Sequence, residues 1–330
     1  MVLNDVGSHL GSPIPRNITY VVTAFLSIAL YNVLELTFLL FFTFKRRAGL
    51  YFWSCTFATW GIAIYSIGLI LKDFDVATHI SAFYVTLIIF GWCAMVTGQS
   101  LVLYSRLHLI VRRRAILLFV LTMIIVNAII LHIPTIILCY GANSVAYERF
   151  AVPYAIYERI QVTVFSIQEA IISGLYLFAM GKMFYLGGTV SEMHGLAGRR
   201  LMIHLVYMNV AVILLDAAIV ILQYTGRYAS QTAAKGLIYS VKLKLEFNIL
   251  NRLVDVARRA SDPGSVLPYG NRSVLHSGSG SGDTQQEEGH AAAAGDGGRE
   301  RHRSWRTGYC PWNLFVSRVK HEISDPPRDG

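Results

Sequence analysis

Six stretches of this chain are each long and apolar enough to cross a bilayer as a helix, and no other feature constrains the fold as strongly. They run roughly 18–44, 50–71, 80–104, 115–139, 161–186 and 201–224. A hydrocarbon core about 30 Å thick needs about 20 mostly apolar residues at a rise of about 1.5 Å each. The runs are continuous rather than alternating, which selects helices over barrel strands. Only 15% of the 330 residues are charged and 54% are hydrophobic, whereas a soluble domain carries about 25% charged residues. The formal charge of +9 does not argue for nucleic acid. Most basic residues lie in short clusters beside apolar runs, as the positive-inside rule expects.

A seventh stretch, about 232–254, is harder to read. Its centre, VKLKLEFNIL, alternates like a β-strand and places Lys242, Lys244 and Glu246 where a membrane crossing should be. A lone strand in lipid leaves its backbone unpaired, and each central lysine costs a helix about 2.5 to 3.5 kcal/mol on insertion scales. Read at helical period, Lys235, Tyr239, Lys242 and Glu246 share one face, and Ser240, Lys244, Asn248, Asn251 and Asp255 the opposite one. A helix with two polar faces belongs wedged among the others. The rival is a six-crossing protein with this stretch on the membrane surface.

Charge sets the expected orientation. Lys45, Arg46, Arg47, Arg106, Arg112, Arg113, Arg114, Lys182, Arg199 and Arg200 fall on one side, ten in all; Arg16, Lys72, Arg149, Arg159, Arg227 and Lys235 fall on the other, six in all. The rule then puts the N-terminus outside and the C-terminus in the cytoplasm, with the plasma membrane as the expected location. Tyr20, Tyr84, Tyr140, Tyr224 and Tyr228 at outer ends, and Tyr51, Trp53, Tyr104 and Tyr185 at inner ends, read as interfacial belts. The expected fold is an all-α membrane protein: a short extracellular N-terminus (1–17), a seven-helix transmembrane bundle (18–256) and a disordered cytoplasmic tail (257–330).

No cleaved signal peptide is apparent at the N-terminus, and the sequon at Asn17 lies too near the bilayer to be a good glycosylation acceptor. The tail is rich in Gly, Ser and Ala, a composition that cannot bury enough apolar surface to fold. Its basic run RERHRSWR is able to touch anionic headgroups. Cys310, among aromatic and basic residues, is either an unmodified tail cysteine or a palmitoylation site.

The candidate site is a polar core within the membrane: Glu35, Asn127, Glu169, Asp216, Lys242, Lys244 and Glu246. Ionisable residues at that depth are costly and usually face the bundle interior. From helix midpoints, Lys242, Lys244 and Asn127 lie near the midplane, with Glu35 about 6 Å inside it and Asp216 and Glu169 about 5–6 Å outside it. In the structural reading Lys242 and Glu246 neutralise each other as i,i+4 neighbours, leaving Lys244 to pair with Glu35 or Asp216. In the functional reading the group lines a pocket for a small ligand, or a proton or ion path. Gln99, Asn127, Gln168, Asn209 and Gln223 read as interhelical hydrogen-bonding residues, and Pro134 as a kink in helix four.

Enzyme classes find little support. His132 and His204 lie about 20 Å apart in depth, far beyond ligands about 2.1 Å from one zinc. No CxxC, GxSxG or phosphate-binding loop occurs in the right context. A retinal-linked opsin would want a lysine in helix seven, which is present. Microbial opsins carry the carboxylate counterion on helix three, and here helix three has no acid. No enzymatic activity, cofactor or metal is expected. Inverted-repeat halves with broken helices, as in many transporters, are not apparent. The near-repeat Tyr147-Glu148-Arg149 and Tyr157-Glu158-Arg159 in the outer loop reads as chance or a short interfacial helix.

At GQSLVLYSRLHLI (98–110), YERIQVTVFSIQEAIISGLYLF (157–178) and YSVKLKLEFNILNRLV (239–254), the chain resembles fungal multi-pass integral membrane proteins of unknown function. These are distantly similar to fungal rhodopsin-like receptors, and the resemblance implies seven helices, N-terminus out, and a receptor-like role. The chain departs from receptor patterns: it has no cysteine-rich extracellular domain, helix three ends in Tyr104-Ser105-Arg106 rather than acid-Arg-Tyr, and helix seven has no Asn-Pro-x-x-Tyr. Animal-type G-protein coupling is therefore not implied. The expected function is sensing or binding a small ligand in a polar intramembrane pocket. The alternatives are a small-solute transporter or channel, and a membrane scaffold acting through its tail. Expected partners are the lipid bilayer, a small-molecule ligand and a cytosolic protein at the tail.

Overall fold

The computed structural model describes residues 16–44, 49–73, 81–111, 113–143, 147–186, 188–225 and 228–261. Cys310, the basic run 299–306 and the rest of the tail lie outside the described residues, as does the side chain of Asn17. All regular structure among the described residues is helical: α1 Arg16–Thr43, α2 Leu50–Asp73, α3 Ser81–Ile110, α4 Arg114–Ala142, α5 Tyr147–Leu186, α6 Gly188–Tyr224 and α7 Tyr228–Ser261. Six of them contain a span long and apolar enough to cross a membrane: Ile18–Thr43, Leu50–Asp73, Ala82–Ile110, Arg114–Ala142, Glu148–Lys182 and Ile203–Tyr224. α7 has the length without the apolarity.

Neighbours in sequence are neighbours in space, and α7 closes the ring against α1. α3 runs through the middle, touching α2, α4, α5 and α7. Outward faces carry large apolar side chains such as Tyr31, Leu34, Phe38 and Phe42 on α1, Ile129, Ile133 and Ile137 on α4, and Leu214 and Ile221 on α6. Contiguous apolar surface on that scale marks lipid contact. Threonines on these helices donate back to the carbonyl four residues earlier, as Thr37 does to Val33 and Thr56 to Phe52, which satisfies the hydroxyl within its own helix. The protein is a multi-pass membrane protein.

α2 and α3 form the closest seam. Gly61 and Gly68 on α2, and Gly91 and Gly98 on α3, recur at seven-residue spacing and bring the two antiparallel backbones together. A Cβ on Gly91 would stand 2.3 Å from the Tyr65 backbone nitrogen and 2.9 Å from the Gly61 carbonyl oxygen. One on Gly98 would stand 2.8 Å from Ala58 Cα. Where lipid is as apolar as leucine, such van der Waals contact between small residues is a main source of association.

Several boundaries differ from those expected. α5 begins at Tyr147, so the segment holding both Tyr-Glu-Arg triplets, expected as an outer loop, is helix. α6 opens at Gly188, well before the expected start at about 201. α4 extends past the expected end at about 139, to Ala142. Tyr51 and Tyr84, expected at membrane interfaces, are buried within the bundle, whereas Tyr20, Trp53, Tyr140 and Tyr224 are exposed. α7 is buried along most of Gln231 to Leu250. It runs parallel to α1, since Asn32 meets Ser240 and Glu35 meets Lys244 in the same order along both helices.

The α2–α3 seam is testable. Gly91→Ala pushes a methyl group into backbone and should destabilise the bundle by about 1–3 kcal/mol. Gly174, with nothing within 4 Å of an added Cβ, should gain up to about 1 kcal/mol as alanine from helix propensity alone. Unfolding curves in detergent distinguish the two, and equal effects would refute the seam.

Candidate functional site

Four charged side chains of α7 find their partners on four other helices, α1, α3, α5 and α6. Lys242 is fully buried and donates to both Glu169 of α5 and Asp216 of α6. Its ammonium also lies 4.5 Å from the centre of the Tyr239 ring. One turn further, Glu246 contacts Arg106 of α3 at 2.5 Å. The Arg106 Nε–H does not aim at that carboxylate, so the contact is ionic rather than a directed hydrogen bond. The guanidinium instead lies 4.9 Å over the Tyr176 ring and approaches Asn209 Oδ1 at 3.5 Å. Two turns toward the α7 N-terminus, Lys235 donates to Glu158 of α5 at 2.6 Å.

The opposite face of α7 meets α1. Lys244 pairs with Glu35 at 2.5 Å and donates to Asn32 Oδ1 at 3.1 Å, while Asn32 donates to Ser240 at 2.9 Å. This pair is not dry: the two side chains are 29% and 36% exposed. The face carrying Lys242 is closed, with side-chain exposures of 0% for Lys242 and Glu169 and 4% for Asp216. The two faces expected from the helical wheel thus lie in different surroundings.

The expected mutual neutralisation of Lys242 and Glu246 does not occur. Glu169 and Asp216 occupy the ammonium, and Arg106 occupies Glu246. Of the two partners open to Lys244, Glu35 is the one it meets, and Asp216 goes to Lys242. Asn127 stands apart from these charges. It donates to Gln168 at 2.7 Å, and Gln168 donates to Ser100 at 3.0 Å, linking α4, α5 and α3. His132, weighed above as a zinc ligand, contacts Thr97 at 2.8 Å and packs its ring against Trp92 and Phe165. Among the described residues, no group of three or more His, Cys, Asp or Glu is arranged to hold a metal ion.

Arg106, read above as a flanking charge, and Glu158 are site residues that sequence reasoning missed. Lys235, counted above among the outer charges, is also placed there on the Lys242 face of the seventh stretch, and it is on that face that it finds Glu158. The signal for Arg106 was the apolar pattern continuing past it at Leu107, Leu109 and Ile110. For Glu158 it was the helical period of Ala151, Tyr154, Glu158, Val162 and Phe165, all of them buried.

Removing one partner of a buried ion pair strands the other, a cost of about 3–5 kcal/mol, while replacing both with apolar residues of similar volume is often neutral. Arg106→Met should therefore destabilise the protein by that amount, and adding Glu246→Met should restore most of the loss. A double-mutant cycle from denaturation in detergent measures it, and additive losses would mean that the two groups are not coupled.

No curated protein and no solved structure matches the chain. A family model does match, over residues 14–263, about three quarters of its length. The match covers all seven helices and the charged groups they carry, and the chain belongs to the family described as domain of unknown function DUF7703.

Proposed function

We propose that this protein is a receptor-like sensor in which a small ligand, read at the polar core, changes how α7 is held. One observation carries the reading: Lys235, Lys242, Lys244 and Glu246 of α7 are tied by ionic contacts to α1, α3, α5 and α6 at once. Buried ion pairs stabilise a fold less than well-packed apolar residues of the same volume. Their concentration on one helix therefore favours a role in choosing between arrangements over a role in stability alone. A ligand that competes for one of these charges shifts α7 by its differential affinity for the two arrangements.

The same reading takes α7 as a seventh crossing, with the N-terminus outside, the tail in the cytoplasm, residence at the plasma membrane and no enzymatic activity. Support comes from the parallel course of α7 and α1, which an alternating chain reaches only if both cross in the same sense. With Arg106 and Lys235 buried in ion pairs, the flanking basic residues fall from ten to nine and from six to five, and the bias keeps its sign. A small-solute transporter is the second reading, favoured by the partial exposure of the Lys244–Glu35 pair. A scaffold acting through the tail is the third.

Proximity labelling from a C-terminal fusion in cells tests the role. A sensor should label a different set of cytosolic proteins in Glu246→Gln than in the wild type. An unchanged set sinks the sensor reading, and solute flux in reconstituted vesicles that disappears in Lys244→Ala would put the transporter in its place. Topology has its own check: a glycosylation tag after Val254 should stay unmodified, and its modification would put the tail outside and refute seven crossings.

A further inference from the structure

The cluster around Lys242 does not balance. Glu169 and Asp216 both accept from one ammonium, which holds their carboxyl groups side by side. Glu169 Oε1 and Asp216 Oδ2 are buried with no donor facing them. The groups around the pair are few and come from four helices. α7 supplies Lys242, Tyr239 and Glu246; α5 adds Tyr176; α3 adds Arg106; and α2 places Tyr51 and Cys55 beside the Arg106–Glu246 contact. Two cations, Lys242 and Arg106, thus face three carboxylates, Glu169, Asp216 and Glu246, leaving one negative charge in excess. The pairs Lys235–Glu158 and Lys244–Glu35 are each neutral and cannot offset it.

Two carboxylates that share one ammonium in a buried site do not both stay ionised; one keeps a proton. A metal cation is a poor substitute. It would need about six oxygen ligands, and here it would have two free oxygens beside an ammonium that repels it.

We propose that the Glu169–Asp216 pair of α5 and α6 is a proton-binding site. A proton taken from bulk water forms an O–H bond on one carboxyl oxygen and is donated to the other carboxylate, with no change in oxidation state. Lys242 holds the remaining negative charge. With the proton bound, the cluster is neutral. Without it, two carboxylates repel across the α5–α6 contact while both pull on α7. Local pH is then the signal that the sensor reads. This deepens the function proposed above, but the charge count does not require α7 to move, so either can fail alone.

Infrared spectroscopy of the full-length protein in lipid nanodiscs reads the proton directly. A protonated-carboxyl C=O band, shifted in D₂O, should be present at neutral pH and vanish as pH rises. Glu169→Gln and Asp216→Asn should each remove it, because each leaves one carboxylate per ammonium, and Glu35→Gln should retain it. The wild-type titration stands even if a variant fails to fold. No such band between about pH 5 and about pH 8, or a band that survives both substitutions, would overturn the proposal. So would a band that appears only when sodium is replaced by choline, which would make this a sodium site.

Discussion

An ammonium group deep in a bilayer protein must be given counter-charge by the protein itself, and Lys242 takes it from two helices at once. That need fixes where α5, α6 and α7 stand relative to one another. α5 and α7 make little or no close backbone contact, yet Glu158 and Glu169 on one face of α5 reach Lys235 and Lys242 on one face of α7. Long side chains bridge what backbones do not. A lysine at the centre of a lone helix costs about 2.5 to 3.5 kcal/mol on insertion, and α7 carries two near its centre. It therefore enters as a member of the bundle, and its stability is a property of its partners.

The two sides of the bundle are held together by different forces. At the α2–α3 seam, glycines remove side chains so that backbones touch, and the attraction is short-ranged dispersion with one good geometry. A displacement of even part of an ångström loses it, so this side is stiff. On the α5–α6–α7 side the contacts are ionic and made by flexible stems, which keep much of their attraction over a wider range of positions. α3 connects the two: Gly91 and Gly98 seat it on α2, while Arg106 reaches Glu246 at its other end. Arg106 thus offers a direct route by which a charge change at α7 reaches the rigid half, beside the packing of α7 on α2 and the hydrogen bond from Tyr65 to the Thr232 carbonyl.

Six helices were legible in the sequence because apolar runs of span length have few other uses. Glu35, Glu169, Asp216 and the α7 charges stood out for the same reason, as ionisable groups where lipid should be. Their pairing was not legible. An i,i+4 match between Lys242 and Glu246 is a local rule, and it lost to partners 73 and 26 residues away in sequence, which only the packing of three helices could supply. Arg106 was hidden by the opposite error. A basic residue near the end of an apolar run looks like a flanking charge, and the helix had to be followed further to place it inside. The glycine seam was present as a seven-residue spacing, but its meaning depends on which helix faces it.

The three groups of ion pairs along α7 also differ in what they can do. Lys235–Glu158 and Lys244–Glu35 are one-to-one pairs; breaking either leaves two opposite charges that still attract. At Lys242 the stoichiometry is two acids to one base, and the nearby Arg106–Glu246 pair does not alter the excess. Gain or loss of a single unit charge therefore changes the sign of the interaction between α5 and α6 at that site alone, from a shared hydrogen bond to repulsion. The neutral pairs lie on either side of that point along α7 and keep the helix in register while it happens. A bundle built only for stability would place a third base there or omit one acid, and the imbalance is what gives this position a state to switch.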